Sequence, residues 1–159
     1  MNLNPSGSEN HGKIVTYRYN TVTGTDWNGA TGGVIGYINI ATVSDLTNTG
    51  GVQTTGSSPN SFTGGIVGQE GGNMNTMINC NVGKSGVHIV GAGTGFASNG
   101  AGLFVASGSA KAWTFTNCKV ITGTKCQSTV ITDSNMAEAV VGRKHATSTN
   151  GLPTLVSSF

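Results

Sequence analysis

A short glycine-rich motif occurs three times in the sequence, and this repetition constrains the fold more than any other feature. The copies are residues 32–37, 64–69 and 100–105. Each copy places two apolar residues after a glycine, and a polar turn and a second strand pattern follow it. Such repeats predict one coil each, since a coil can bury its apolar face only against neighbouring coils.

The composition favours β-structure for these coils. The chain of 159 residues contains 26 glycines, and only 9% of its residues are charged. Glycine and asparagine suit corners, whereas threonine and valine suit strands. We therefore predict an all-β fold, a short β-solenoid or β-helix-like stack of about three Gly-rich repeats, with one short C-terminal helix and extended terminal arms.

The apolar residues of each repeat are expected to form the core. The predicted core residues are Val34, Ile35, Ile66, Val67, Leu103, Phe104, Cys80 and Cys118. Among these, Ile35, Val67 and Phe104 are expected to point inward at equivalent positions. The two cysteines fall at matching points of the repeat, so we expect them to be reduced and stacked, with no required disulfide.

An asparagine also recurs at a similar distance after each motif copy, at Asn48, Asn79 and Asn117. One interpretation is a ladder of side-chain amides that stack from coil to coil. The other is that each asparagine only begins an Asx-turn. Both interpretations stay open at the level of the sequence.

The segments outside the repeats divide the chain. Residues 1–12 are predicted to be a polar N-terminal arm, residues 13–144 a single β-repeat domain and residues 145–159 a C-terminal tail. Within the domain, residues 13–23 alternate like a cap or edge strand, and residues 133–142 are predicted to form the helix, with Gly142 just past its end. Apolar residues in the tail are predicted to mediate self-association. They are Leu152, Leu155, Val156 and Phe159.

The repeat resembles the GLUG repeat of bacterial surface proteins, which has a Gly-Gly-Leu-Val-Gly-like segment, a polar turn and an Asn-Cys or Asn-Ser strand. Here the matching segments are Gly64-Gly65-Ile66-Val67-Gly68 and Asn79-Cys80, and the similarity covers roughly residues 32–126. The third copy departs from the pattern, because Val105 stands where a glycine is expected. The resemblance implies a scaffold of adhesins and secreted surface proteins, and it supplies no catalytic residue.

The sequence offers little support for other kinds of site. The histidines lack metal-ligand spacing, and the acidic residues form no pair typical of a glycan-cleaving solenoid, so we expect no catalytic, cofactor-binding or metal-binding residues. The net charge is +2 and the basic residues are scattered, which argues against nucleic-acid binding. No run of about 18 apolar residues predicts a membrane span.

These patterns together favour a non-enzymatic structural or adhesive module at the cell surface or outside the cell. Its expected partners are further copies of itself, in an oligomer or filament, or neighbouring surface proteins, or a glycan. The alternative is a phage virion component, such as a head fibre or decoration protein, with neighbouring virion proteins as partners. A head-to-tail filament subunit is a variant of either.

Overall fold

The chain winds into a parallel β-solenoid. The computed structural model describes residues 7–18, 29–56, 61–71, 75–91, 101–107, 112–143 and 148–159. With one antiparallel exception, the described strands that are hydrogen-bonded neighbours lie five strands apart along the chain and are parallel. The predicted all-β solenoid is therefore confirmed.

Each complete coil contributes one strand to each of five sheets, which we name A to E in chain order. The first coil contains β1 (Glu9–Asn10), β2 (Ile14–Arg18), β3 (Gly29–Gly32), β4 (Ile35–Ile38) and β5 (Thr42–Ser44). The second contains β6 (Thr47–Asn48), β7 (Val52–Gly56), β8 (Ser61–Gly64), β9 (Val67–Glu70) and β10 (Thr76–Ile78). The third contains β11 (Asn81–Val82), β12 (His88–Val90), β13 (Ala101–Gly102), β14 (Val105–Ser107) and β15 (Ala112–Thr116). The remaining strands are β16 (Lys119–Ile121), β17 (Lys125–Cys126), β18 (Thr129–Val130), β19 (Val141–Arg143), β20 (Ser148–Asn150) and β21 (Thr154–Val156).

The stack is longer than the predicted three repeats, and it incorporates parts of both predicted arms. Strand β1 pairs with β6 in sheet A, although residues 1–12 were expected to be an arm. Strands β20 and β21 pair with β15 and β16, although residues 145–159 were expected to be a tail. The described parts of these segments thus belong to the solenoid, because their backbone groups complete the ladders of sheets A and E.

The fourth coil departs from the pattern of the first three. Strand β18 folds back antiparallel on β17, and a short helix, α1 (Met136–Ala139), follows where the earlier coils have a strand of sheet C. The helix is shorter than the predicted span of residues 133–142. Gly142 lies inside β19 and not past a helix end, because the chain from Val141 onward pairs with β14 in sheet D. Met136 and Ala139 are buried on the inner side of the helix.

The core fills the space enclosed by the five sheets. Of the predicted core residues, six are buried: Ile66, Val67, Leu103, Phe104, Cys80 and Cys118. Val34 and Ile35 are only partly buried and pack against the core. This difference follows from their place in the first coil, where the core has a neighbouring coil on one side.

The third repeat has a different register from the one predicted. Backbone pairing aligns Ile35 with Val67, and Val67 with Val105. Phe104 is therefore not their equivalent, and it lies one position earlier, level with Ile66. Leu103 occupies the place of a motif glycine, so matching by glycines alone shifts the alignment of this copy by one residue.

Glycine is required at the corner between sheets C and D. Gly32, Gly64 and Gly102 end the three strands of sheet C and are in register with one another. A Cβ atom on Gly64 would overlap the carbonyl oxygen of Val67, three residues further on, and the other two glycines face the same obstacle. The chain can turn this corner tightly only where no side chain is present.

Candidate functional site

An outer ladder of polar side chains links the coils just after sheet E. The side-chain amide of Asn117 donates to the Asn79 side-chain oxygen at 2.9 Å, and the Asn79 amide donates to Asp45 at 2.9 Å. All three residues have left-handed backbone, with φ of 57°, 54° and 51° for Asp45, Asn79 and Asn117. Asparagine and aspartate tolerate this conformation better than other non-glycine residues. The ladder interpretation is thus realised, with Asp45 as its first member in place of Asn48.

The hydrogen bond from Asn79, with a second from Ser44, lowers the pKa of the Asp45 carboxyl group. A carboxyl group whose pKa is lowered by folding stabilises the fold above its unfolded pKa. That contribution disappears as the pH falls through the folded pKa. The outer ladder therefore couples the first two coils most strongly near neutral pH.

Asn48 belongs to a second, interior pair. Its side-chain oxygen accepts a hydrogen bond from the Asn10 amide at 2.9 Å, and its own amide donates to the Gly65 carbonyl at 2.7 Å. In later coils the same row of sheet A carries Val82 and Val120. The spacing in the sequence grouped Asn48 with Asn79 and Asn117 because the first coil has a different number of residues between its motif and its turn.

Two replacements of Asn79 separate the contributions of its left-handed backbone and of its side-chain hydrogen bonds to the free energy of unfolding. Asn79→Ala should lower the free energy of unfolding by about 1.5 kcal/mol, because alanine resists left-handed backbone and makes no ladder hydrogen bond. Asn79→Gly should cost only about 0.5 kcal/mol, because glycine accepts this backbone. Urea unfolding followed by circular dichroism measures both values. A glycine variant that is no more stable than the alanine variant would contradict the backbone explanation.

The exposed large hydrophobic side chains of the described residues lie in the first coil and beyond the third coil. Among the described residues, the exposed large hydrophobic side chains are Val15, Tyr37, Val130, Leu152 and Phe159. The first two lie on β2 and β4 of the first coil, and the other three lie beyond the third coil. The strands of the first coil and β19, β20 and β21 are also edge strands of their sheets.

The residues predicted to mediate self-association fall into two groups. Leu152 and Phe159 are exposed, with 41% and 48% of their surface accessible. Leu155 and Val156 lie within β21, where they are level with Val120 and Ile121 of the preceding coil, and Leu155 packs against the core. Leu155 is therefore part of the last layer of the stack, and Leu152 and Phe159 are the more accessible members of the set.

A groove crosses the outer face of sheet B, and the sequence analysis did not identify it. It has a volume of about 470 Å³, and Lys13, Gly51, Gln53 and His88 are among the residues that line it. Lys13, Gly51 and His88 immediately precede Ile14, Val52 and Ile89, which are paired across the sheet. The next coil continues this row with Lys125, which is level with His88.

The cysteines lie in the interior. Cys80, Cys118 and Cys126 are all free and buried. Cys80 and Cys118 occupy matching turns between sheets E and A of neighbouring coils. Interaction with the Cys118 thiol, followed by burial, raises the pKa of Cys80. Burial alone raises the pKa of Cys126 to about 12. A raised pKa keeps these two thiols protonated and poorly reactive at neutral pH.

The part of the chain that the structure describes contains neither a cluster suited to a metal ion nor a membrane-spanning helix. No three histidine, cysteine, aspartate or glutamate side chains come together there as a group able to hold a metal ion. Within the same residues, no helix has the length and apolar character needed to span a membrane.

Comparisons with known proteins give no relative from which a function can be transferred. The chain matches no protein-family model, no curated protein and no solved structure. The similarity to GLUG repeats therefore stays a prediction that depends on the motif residues, and the function has to be argued from the solenoid, its ends and its outer faces.

Proposed function

We propose that this chain is a non-enzymatic structural and adhesive surface module, which associates end to end and presents polar faces to a glycan or a protein. Its proposed place is the cell surface or the extracellular space. The observation that carries the proposal is that, among the described residues, the exposed large hydrophobic side chains lie in the first coil and beyond the third coil.

The side-chain chemistry of the solenoid supports a scaffold role. Polar side chains with well-defined partners serve the stacking of coils, as in the outer ladder of Asp45, Asn79 and Asn117 and the interior pair of Asn10 and Asn48. A buried hydrogen bond of 2.7 Å between Thr63 and Thr54 similarly joins sheets C and B. Such contacts fix the geometry of a rigid support for the outer faces.

The ends of the solenoid support association with a second copy. An edge strand has unpaired backbone groups on one side, and proteins usually protect such edges with charges. The C-terminal end instead exposes Leu152 and Phe159, and the N-terminal end exposes Val15 and Tyr37. Because the two ends differ in sequence, their contact would be head to tail, which permits growth beyond a dimer.

Two end-blocked variants test this proposal. One carries Val15→Lys and Tyr37→Lys, and the other carries Leu152→Lys and Phe159→Lys. We expect the parent chain to form concentration-dependent oligomers in light scattering, and each variant alone to be monomeric, since lysine at an edge opposes pairing. A mixture of the two variants should form dimers only, because each variant retains one functional end.

Thr116→Lys is the matched control, because Thr116 is exposed on β15 in the third coil, away from both ends. This variant should assemble like the parent chain, and circular dichroism should show the same fold for all variants. A monomeric parent chain, or end-blocked variants that assemble normally, would overturn the proposed self-association. Unlimited growth of the parent chain would favour the filament form over a short oligomer.

A further inference from the structure

We propose that the groove on sheet B binds an extended acidic polysaccharide that runs along the solenoid axis. This inference rests on the proposed function, because it names the ligand class that the surface module would hold. The argument depends on the charge of the groove, on its shape and on the chemistry of its lining.

The charge of the groove is positive. Lys13, Gly51 and His88 line the groove as one row from three successive coils, and Lys125, which is level with His88, continues this row in the fourth coil beyond the lining. Neighbouring coils in a sheet are about 4.8 Å apart, so basic side chains recur along the axis at intervals of one or two coils. Among the described residues, no carboxylate lines the groove, and no ion pair joins Lys13, His88 or Lys125 to an acidic side chain. An occupant with regularly spaced anionic groups complements this row.

Gly51 makes the groove deep enough for a ligand. It stands between Lys13 and His88 in the row and has no side chain to fill the space. A Cβ atom added there would meet only the His88 carbonyl oxygen at 3.5 Å and Lys13 Cγ at 3.6 Å, which are ordinary contact distances. A larger side chain at this position can therefore block the groove with little strain on the backbone.

The rest of the lining suits a sugar chain better than a nucleic acid. Gln53 and Val90 are level with each other in a second row of sheet B, and both line the groove. The Gln53 amide can form hydrogen bonds with sugar hydroxyl groups, and the Val90 side chain offers an apolar surface against which a sugar ring can pack. Single-stranded nucleic acids are usually held by aromatic side chains on which the bases stack. Among the described residues, the lining of the groove includes no phenylalanine, tyrosine or tryptophan.

Binding of polygalacturonate, which carries carboxylates, and of dextran sulfate can be measured by calorimetry, with uncharged dextran as the reference. We expect binding of at least one anionic polysaccharide that weakens with added salt, and no binding of dextran. Lys125→Gln should weaken binding about threefold and Lys13→Gln/Lys125→Gln about tenfold, since exposed charges contribute modestly. Gly51→Leu should abolish binding without changing the charge.

Lys119→Gln is the matched control, because Lys119 lies in the same coil as Lys125 but on sheet A, and its affinity should stay that of the parent chain. Absence of binding to both anionic polysaccharides would overturn the inference. Unchanged binding by Gly51→Leu, or equal binding of single-stranded DNA or poly-glutamate, would overturn it as well. The groove variants should keep the oligomeric mass of the parent chain, so a failure here is distinct from a failure of end-to-end assembly.

Discussion

Replacing Val67 with aspartate should lower the free energy of unfolding by about 4 kcal/mol or more, since the new carboxylate would have to be buried without a partner. Val67 is fully buried on β9, and it pairs with Ile35 in the coil before and Val105 in the coil after. The variant therefore damages three coils at once. Chemical unfolding monitored by circular dichroism measures the loss, and an unfolded variant at room temperature is the extreme form of the same result.

The matched control for this variant is Gln69→Asp, which introduces the same carboxylate two residues later on the same strand. Gln69 is only partly buried, whereas Val67 is fully buried, so the new charge keeps contact with water. Its cost should stay within about 0.5 kcal/mol. If Val67→Asp unfolds like the parent chain, the inward assignment of Val67 is wrong, and with it the register of sheet D.

A second large effect is expected from Gly64→Ala, although it adds a single methyl group. The new Cβ atom would overlap the carbonyl oxygen of Val67, which is backbone and cannot move aside as a flexible side chain can. The corner between sheets C and D would have to open, and both neighbouring coils would lose contacts. We expect a loss of about 3 kcal/mol in the free energy of unfolding, which thermal or chemical unfolding can measure.

Gly36→Ala makes the same chemical change on the other side of the corner. A Cβ atom on Gly36 would meet only the Ala30 carbonyl oxygen, at 3.4 Å, and the third coil already has an alanine, Ala106, at the equivalent position. This variant should unfold within about 0.5 kcal/mol of the parent chain. Equal losses for the two alanine variants would show that flexibility of glycine in general, and not the tight corner, accounts for the effect.

The sequence was sufficient to predict the solenoid because the motif residues recur for a strong physical reason. The corner glycines and the buried pair that follows, such as Ile66 and Val67, are each required by close packing. The register of the third copy was wrong because Leu103 occupies a position that the first two copies fill with glycine. A substitution of this kind changes the sequence of the motif without changing the backbone pairing. The correct register of the third copy is therefore given only by the hydrogen bonds between the coils.

The ends of the solenoid could not be predicted for a different reason. Strand β1 has two residues, and β20 and β21 have three each, so none is long enough to show an alternation of apolar and polar residues. These strands are held by parallel pairing with a preceding or following coil, which leaves almost no trace in their composition. Polar segments that look like arms in the sequence can therefore form layers of a solenoid.

The groove on sheet B was invisible in the sequence because its basic residues lie far apart along the chain. Lys13 and Lys125 are scattered among the basic residues when the sequence is read in order, and this scatter was the reason to predict no nucleic-acid binding. The solenoid brings Lys13, His88 and Lys125 into one row because each lies at the start of a strand of sheet B or just before it. In repeat proteins, a charged face can be recognised from the sequence only after the residues of successive coils are aligned with one another.

The stacking of coils also determines how the chain would respond to a pulling force. Residues 7 and 159 lie at opposite ends of the stack, so tension between them acts along the solenoid axis and separates coils one after another. Paired positions in successive coils are 32 to 38 residues apart, as for Ile35 with Val67 and Asn117 with Asn79. A coil contributes about 4.8 Å to the length when folded and about 120 Å when stretched. Under a pulling force, the molecule would lengthen in discrete steps, and the opening of each coil would dissipate mechanical energy before the next coil opens.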